Sequence, residues 1–62
     1  MHEYEIRVFQ AKGAPAIITS EVQLSDQAAL RSARKMADGR PFEVWRGLEC
    51  ITGLMKPPAQ SN

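Results

Sequence analysis

His2 and Cys50 are the only histidine and the only cysteine in a chain of 62 residues, and between them they bound the covalent chemistry it could do. A hydroxyl or thiol nucleophile needs a base within hydrogen-bond reach, most often a histidine. His2 stands at a terminus, where fraying is common, so it reads as exposed and idle. Cys50 would be reactive if Arg46 or a nearby turn lowered its pKa, but a small packing role beside Trp45 is the simpler reading. Glu3 and Glu5 point the same way from one strand, as paired catalytic carboxylates would. No pocket is evident to raise either pKa, and a solvated strand face explains them. Gly13, Gly39, Gly47 and Gly53 are scattered singly, so no glycine-rich loop cradles a phosphate. One cysteine makes neither a disulfide framework nor a zinc site of the common kinds. The expectation is a protein that is not an enzyme, with no cofactor, no metal and no evident small-molecule ligand.

Two other groups of residues could bind rather than react. Arg31, Arg34 and Lys35 form a basic stripe on an exposed helix face, and Arg40 extends it past the helix end. They could contact phosphates, although cations in the C-terminal half of a helix are also explained by its dipole. Basic and aromatic residues do not interleave as they do in RNA-recognition strands, apart from Trp45 next to Arg46. Nucleic acid is therefore the alternative, disfavoured partner. The second group is Phe9, Ile17, Trp45, Cys50 and Leu54, expected together on the uncovered face of a sheet. A Trp on such a face caps the sheet edge or marks an interface, unless the tail or a long neighbour such as Arg7 folds over it. The favoured function is thus a protein-interaction module working through that face, with a second copy or an unidentified protein as partner.

Charge and hydropathy agree with this restraint. Eight basic against seven acidic residues leave a net charge of +1, too little to steer nucleic acid or an anionic membrane. No apolar run approaches the roughly 20 residues of a membrane helix, and Met1 to Glu5 lacks the basic start and apolar run of a signal peptide. A soluble, reducing, cytoplasmic setting is expected. The length suits one small domain, whose core has to be efficient to be stable at all.

The elements that would position these residues centre on one helix. Ser25 is a good N-cap and Asp26 places a negative charge in the first turn. Asp38, Gly39 and Pro41 form the stop, since Gly takes the left-handed conformation and Pro cannot continue a helix. Between them Ala29, Leu30, Ala33, Met36 and Ala37 share one face, while Gln27, Arg31, Arg34, Lys35 and Asp38 cover the other side.

Strands flank this helix on both sides. Residues 4–10 alternate strictly, with Tyr4, Ile6 and Val8 on one face and Glu5, Arg7 and Phe9 on the other. Residues 11–15 form a turn, and residues 16–22 the return strand of a hairpin. If Ile18 and Val22 join Ile6 and Val8 in the core, two registers fit, Arg7 opposite Glu21 or Val8 opposite Ile18. After the helix, residues 42–46 and 49–54 flank Gly47-Leu48, which suits a type II′ hairpin. Its pairs would be Arg46 with Glu49, Trp45 with Cys50 and Val44 with Ile51. The expected fold is α+β, a two-layer β-β-α-β-β domain over residues 1–55. One antiparallel four-stranded sheet, in order 2-1-3-4 or else 1-2-3-4, carries a single helix on one face. Residues 56–62 read as a disordered, proline-bearing tail.

The stretch from Ala33 to Gly47, with its Ala-Arg-x-x-Ala-Asp-Gly helix end and Glu-Val-Trp-x-Gly strand, resembles a family of small uncharacterised proteins. They occur in rhizobia and related alphaproteobacteria. The resemblance spans roughly Tyr4 to Leu54, and Lys12 to Pro15 departs from the Asp/Gly-rich turn of the family. It implies the layout above and carries no activity, cofactor or catalytic residue.

Overall fold

The computed structural model describes residues 1–54. Strands β1 (His2–Val8) and β2 (Ile17–Gln23) form a hairpin, helix α1 (Asp26–Ala37) follows, and β3 (Phe42–Arg46) and β4 (Glu49–Cys50) form a second hairpin. A helical turn, α2 (Ile51–Leu54), comes last. The sheet is open, antiparallel and ordered β2-β1-β3-β4. Because β1 is antiparallel to both β2 and β3, those two strands run parallel and their link must cross over β1. Helix α1 makes that crossing and covers one face of the sheet. The tail expected at residues 56–62 lies outside the described residues.

The helix ends where its capping chemistry says it should. Ser25 is extended (φ −154°) and its Oγ accepts from the Ala28 N–H at 3.2 Å. At the other end Asp38 takes the left-handed conformation (φ 51°) and its N–H donates to the Arg34 carbonyl at 3.1 Å. Gly39 continues it (φ 89°), so the stop uses two left-handed residues rather than the glycine alone. Arg40 then folds back, and its guanidinium donates to the carbonyls of Ala37 (2.8 Å) and Met36 (3.0 Å). These are acceptors that the helix itself leaves unpaired.

Ala29, Ala33 and Ala37 lie fully buried with Leu30 against Tyr4, Ile6, Val8, Val44 and Ile51, while Met36 and Phe42 pack at the margin. Small residues on the helix let its axis come close to β1 and β3, the two central strands. A helix is only about 10 Å wide, so it cannot cover the whole sheet.

That width corrects the reading of β2. The observed register pairs Val8 with Ile17, Ile6 with Thr19 and Tyr4 with Glu21, which is neither expected alternative. Residues opposite one another share a face, so Ile17, Thr19 and Glu21 face the helix layer while Ile18 and Val22 face away. A one-residue offset reverses a whole strand. The loop sets the offset, with Ala14 N–H bonded to the Ala11 carbonyl at 3.0 Å and Gly13 at φ 87°. At the sheet edge β2 lies beyond the apolar reach of α1. What meets it there is polar, the Ser32 hydroxyl donating to Glu21 Oε1 at 2.7 Å.

The second hairpin is also shorter than expected. Trp45 pairs with Cys50 and Arg46 with Glu49 across a two-residue turn, and Gly47 takes φ 61° as a type II′ turn requires. Ile51 does not continue the ladder opposite Val44. It begins α2 and still enters the core, reached by a helical turn instead of a strand.

Candidate functional site

Across the uncovered face the register sets out rows of side chains. One runs Ser20, Glu5, Trp45, Cys50, and the next Ile18, Arg7, Glu43. Glu3 stands opposite Val22. Arg7 lies over the Trp45 ring, 4.7 Å from its centroid, and its Nε bonds the Glu5 carboxylate. The Trp45 indole N–H donates to Glu43 Oε1 at 2.9 Å. The indole is therefore half-buried under a guanidinium clamped by a neighbouring carboxylate, an arrangement worth about 0.5–1 kcal/mol at an exposed site. Arg7 is thus the long neighbour that folds over Trp45, while the tail that could also have covered it lies outside the described residues.

The apolar exposure on this face lies elsewhere. Ile18 is 61% and Val22 57% exposed, both on edge strand β2 and both missed because the sequence assigned them to the core. Phe9, just past β1, is 37% exposed, and its N–H donates to the Pro41 carbonyl at 2.9 Å. Of the expected set, Phe9, Trp45 and Cys50 thus share the open side. Ile17 points to the helix layer and Leu54 belongs to α2, outside the sheet. Cys50 is half-buried with its Sγ 3.1 Å from Thr52 Oγ1.

The basic residues lie on the other side of the molecule. Arg31, Arg34 and Lys35 are exposed on α1 and line a groove with Gln23, Ala28 and Ser32, between the helix and β2. Arg40 is occupied by the helix carbonyls. The open sheet face is instead acidic, with Glu3, Glu5 and Glu43 around Arg7, which suits neither phosphate nor stacked bases.

A second polar cluster, unseen in the sequence beyond its Arg46–Glu49 pair, ties α1 to the sheet. The buried Tyr4 hydroxyl donates to Asp26 Oδ1 at 2.6 Å. Arg46 Nη1 donates to both Asp26 oxygens (2.8 and 3.0 Å) and Nη2 to Glu49 Oε1 (3.0 Å). The bond from Tyr4, helped by the Arg46 charge, holds the Asp26 carboxyl below its ordinary pKa. Burial, then the bond to Asp26, pushes the Tyr4 phenol up. Bonding to Glu49 and the Asp26 charge raise Arg46 further. Every group here is satisfied by another, so the cluster fastens the helix start and leaves no free base or acid.

Among the described residues no group of three His, Cys, Asp or Glu is placed to hold a metal ion, and no helix is long and apolar enough to cross a membrane. Compared with known proteins, the chain matches no family model, no curated protein and no solved structure.

Proposed function

We propose that the chain is a small, non-enzymatic protein-interaction module whose contact surface is the open face of the sheet. One observation carries this reading. Ile18 and Val22 stand 61% and 57% exposed on the same face as the Arg7–Trp45 stack. Burying a branched side chain of this size contributes about 1.5–3 kcal/mol, so a contact covering both would gain appreciably. The carboxylates Glu3, Glu5 and Glu43 supply the polar rim that tends to surround such a contact.

The test is photo-crosslinking in the producing cell, with benzoylphenylalanine replacing Val22 in one variant and Leu48 in another. Leu48 is 99% exposed at a hairpin tip and serves as the control. Protein adducts at position 22 and not at position 48 are expected. Equal labelling of both, or none at position 22, would remove the open face from consideration.

A further inference from the structure

The sheet has two edges, and they differ. The β4 edge is two residues long and ends where the chain turns into α2. The β2 edge runs for seven residues, about 20 Å, and among the described residues no other strand pairs with its outward N–H and C=O groups. Natural edges are protected by proline, lysine, bulges or shortness. Residues 17–23, Ile-Ile-Thr-Ser-Glu-Val-Gln, contain no proline and no cation, and their pairing with β1 is unbroken. The single charge, Glu21, is drawn toward the helix side by bonds from Ser32 (2.7 Å) and Gln23 (2.9 Å). With Glu21 held by those two bonds, β2 carries no free charge against the addition of another strand.

We infer that the partner of this edge is the β2 strand of a second copy, paired antiparallel about a two-fold axis through Ser20. The sequence of β2 is what selects that partner and that register. Centred on Ser20, Ile18 lies opposite the partner's Val22, Val22 opposite the partner's Ile18, and Ser20 opposite itself. The two most exposed apolar side chains of the open face then cover each other in symmetric pairs, as an isologous contact requires. On the helix side Thr19 meets Glu21 and Ile17 meets Gln23, so no like charges stand directly opposite. Moving the axis to Glu21 sets Glu21 against itself, and moving it to Thr19 sets Ile17 against Glu21 and Ile18 against Ser20. The product is one continuous eight-stranded sheet with both helices on the same face. This inference rests on the open face being the contact surface, and adds the occupant and the register.

The experiment uses the whole chain with Cys50→Ser, leaving one introduced thiol. Side chains directly opposite in an antiparallel pair have Cβ atoms about 5 Å apart, near enough to be drawn into a disulfide. With oxidised glutathione, Ser20→Cys is expected to form a covalent dimer rapidly. Val22→Cys, whose own counterpart would lie about 13 Å away along the strand, is expected to form little. Ser20→Lys sets two cations against each other at the axis while facing Glu5 on its own sheet. It should keep the far-ultraviolet circular dichroism of the wild type and a melting temperature that no longer rises with protein concentration, and sediment as a monomer where the wild type is dimeric. Equal crosslinking at positions 20 and 22, or a Ser20→Lys protein that still dimerises, would overturn the edge pairing. A wild type monomeric at ~1 mM overturns it too. Adducts of position 22 with other proteins would leave the open-face reading standing in each case.

Discussion

Replacing Ala33 with Leu tests the central packing of the fold. Ala29, Ala33 and Ala37 are at most 1% exposed, and the strand residues beneath them, Ile6, Val8 and Val44, are wholly buried. Leu adds three carbons. With space to receive them, their burial would contribute about 2.4 kcal/mol at ~0.8 kcal/mol per methylene. The close approach of helix and strands reverses the sign, and overpacking of this kind costs about 1–3 kcal/mol. At ~0.05–0.15 kcal/mol per residue, a domain of this size has only about 3–8 kcal/mol in all. The variant should therefore lose a large share of its stability, read as a lower urea midpoint at unchanged slope. Arg34→Leu, on the exposed side, keeps a good helix former and should cost under about 0.5 kcal/mol. If Ala33→Leu melts like the wild type, the helix does not lie as close as described. If Arg34→Leu is the more damaging, the helix faces are misassigned.

The Tyr4–Asp26–Arg46 cluster predicts a pH dependence. The carboxyl of Asp26 is depressed in the folded state, so its contribution is present above the ordinary carboxylate range near pH ~4 and fades as pH falls through the folded value. Thermal melts from pH 6 to 3 should show the wild type losing more stability than Asp26→Asn, and parallel curves would refute the linkage. The phenol of Tyr4 is raised, so its contribution is complete below pH ~10 and declines above it, and Tyr4→Phe should flatten that alkaline limb. Gly39→Ala meets no neighbouring atom yet should cost about 1 kcal/mol, because its φ of 89° disfavours a side chain. Arg7→Ala should shift Trp45 emission to the red, and an unchanged spectrum would contradict the capping role of Arg7. Arg31, Arg34 and Lys35 should give at most weak binding to duplex DNA that falls steeply with salt, and salt-resistant binding in a mobility-shift assay would revive the nucleic-acid alternative.

Which parts of this were legible in the sequence follows from how local their causes are. The N-cap of α1, its alanine face and the Gly47-Leu48 turn each depend on neighbours within a few residues and appear as read, while the C-terminal stop adds a left-handed Asp38 ahead of Gly39. The sequence favoured the strand order 2-1-3-4 over 1-2-3-4 through a right-handed connection by way of the helix, and the structure shows it. The face of β2 was not legible, because Ile17 and Ile18 are equally apolar and only the loop before them and the reach of α1 choose between them. The end of β4 was hidden for a similar reason, since Ile51 is buried whether it extends the strand or starts a turn. Residues brought together across the fold, Arg7 over Trp45 and Tyr4 on Asp26, carry no signal in spacing. At the candidate surface, therefore, the face and its Trp were readable, while its most exposed members, Ile18 and Val22, were assigned to the core.

Sedimentation equilibrium of the wild type beside an Ile18→Ser/Val22→Ser variant tests the proposed surface most directly. Both side chains are more than half exposed, so the variant should keep the fold, as its far-ultraviolet circular dichroism will show. The wild type should show an apparent mass that rises above 6.9 kDa with concentration, while the variant stays at the monomer mass. If the two behave alike, whether both associate or both remain monomeric, these side chains do not form the contact between copies.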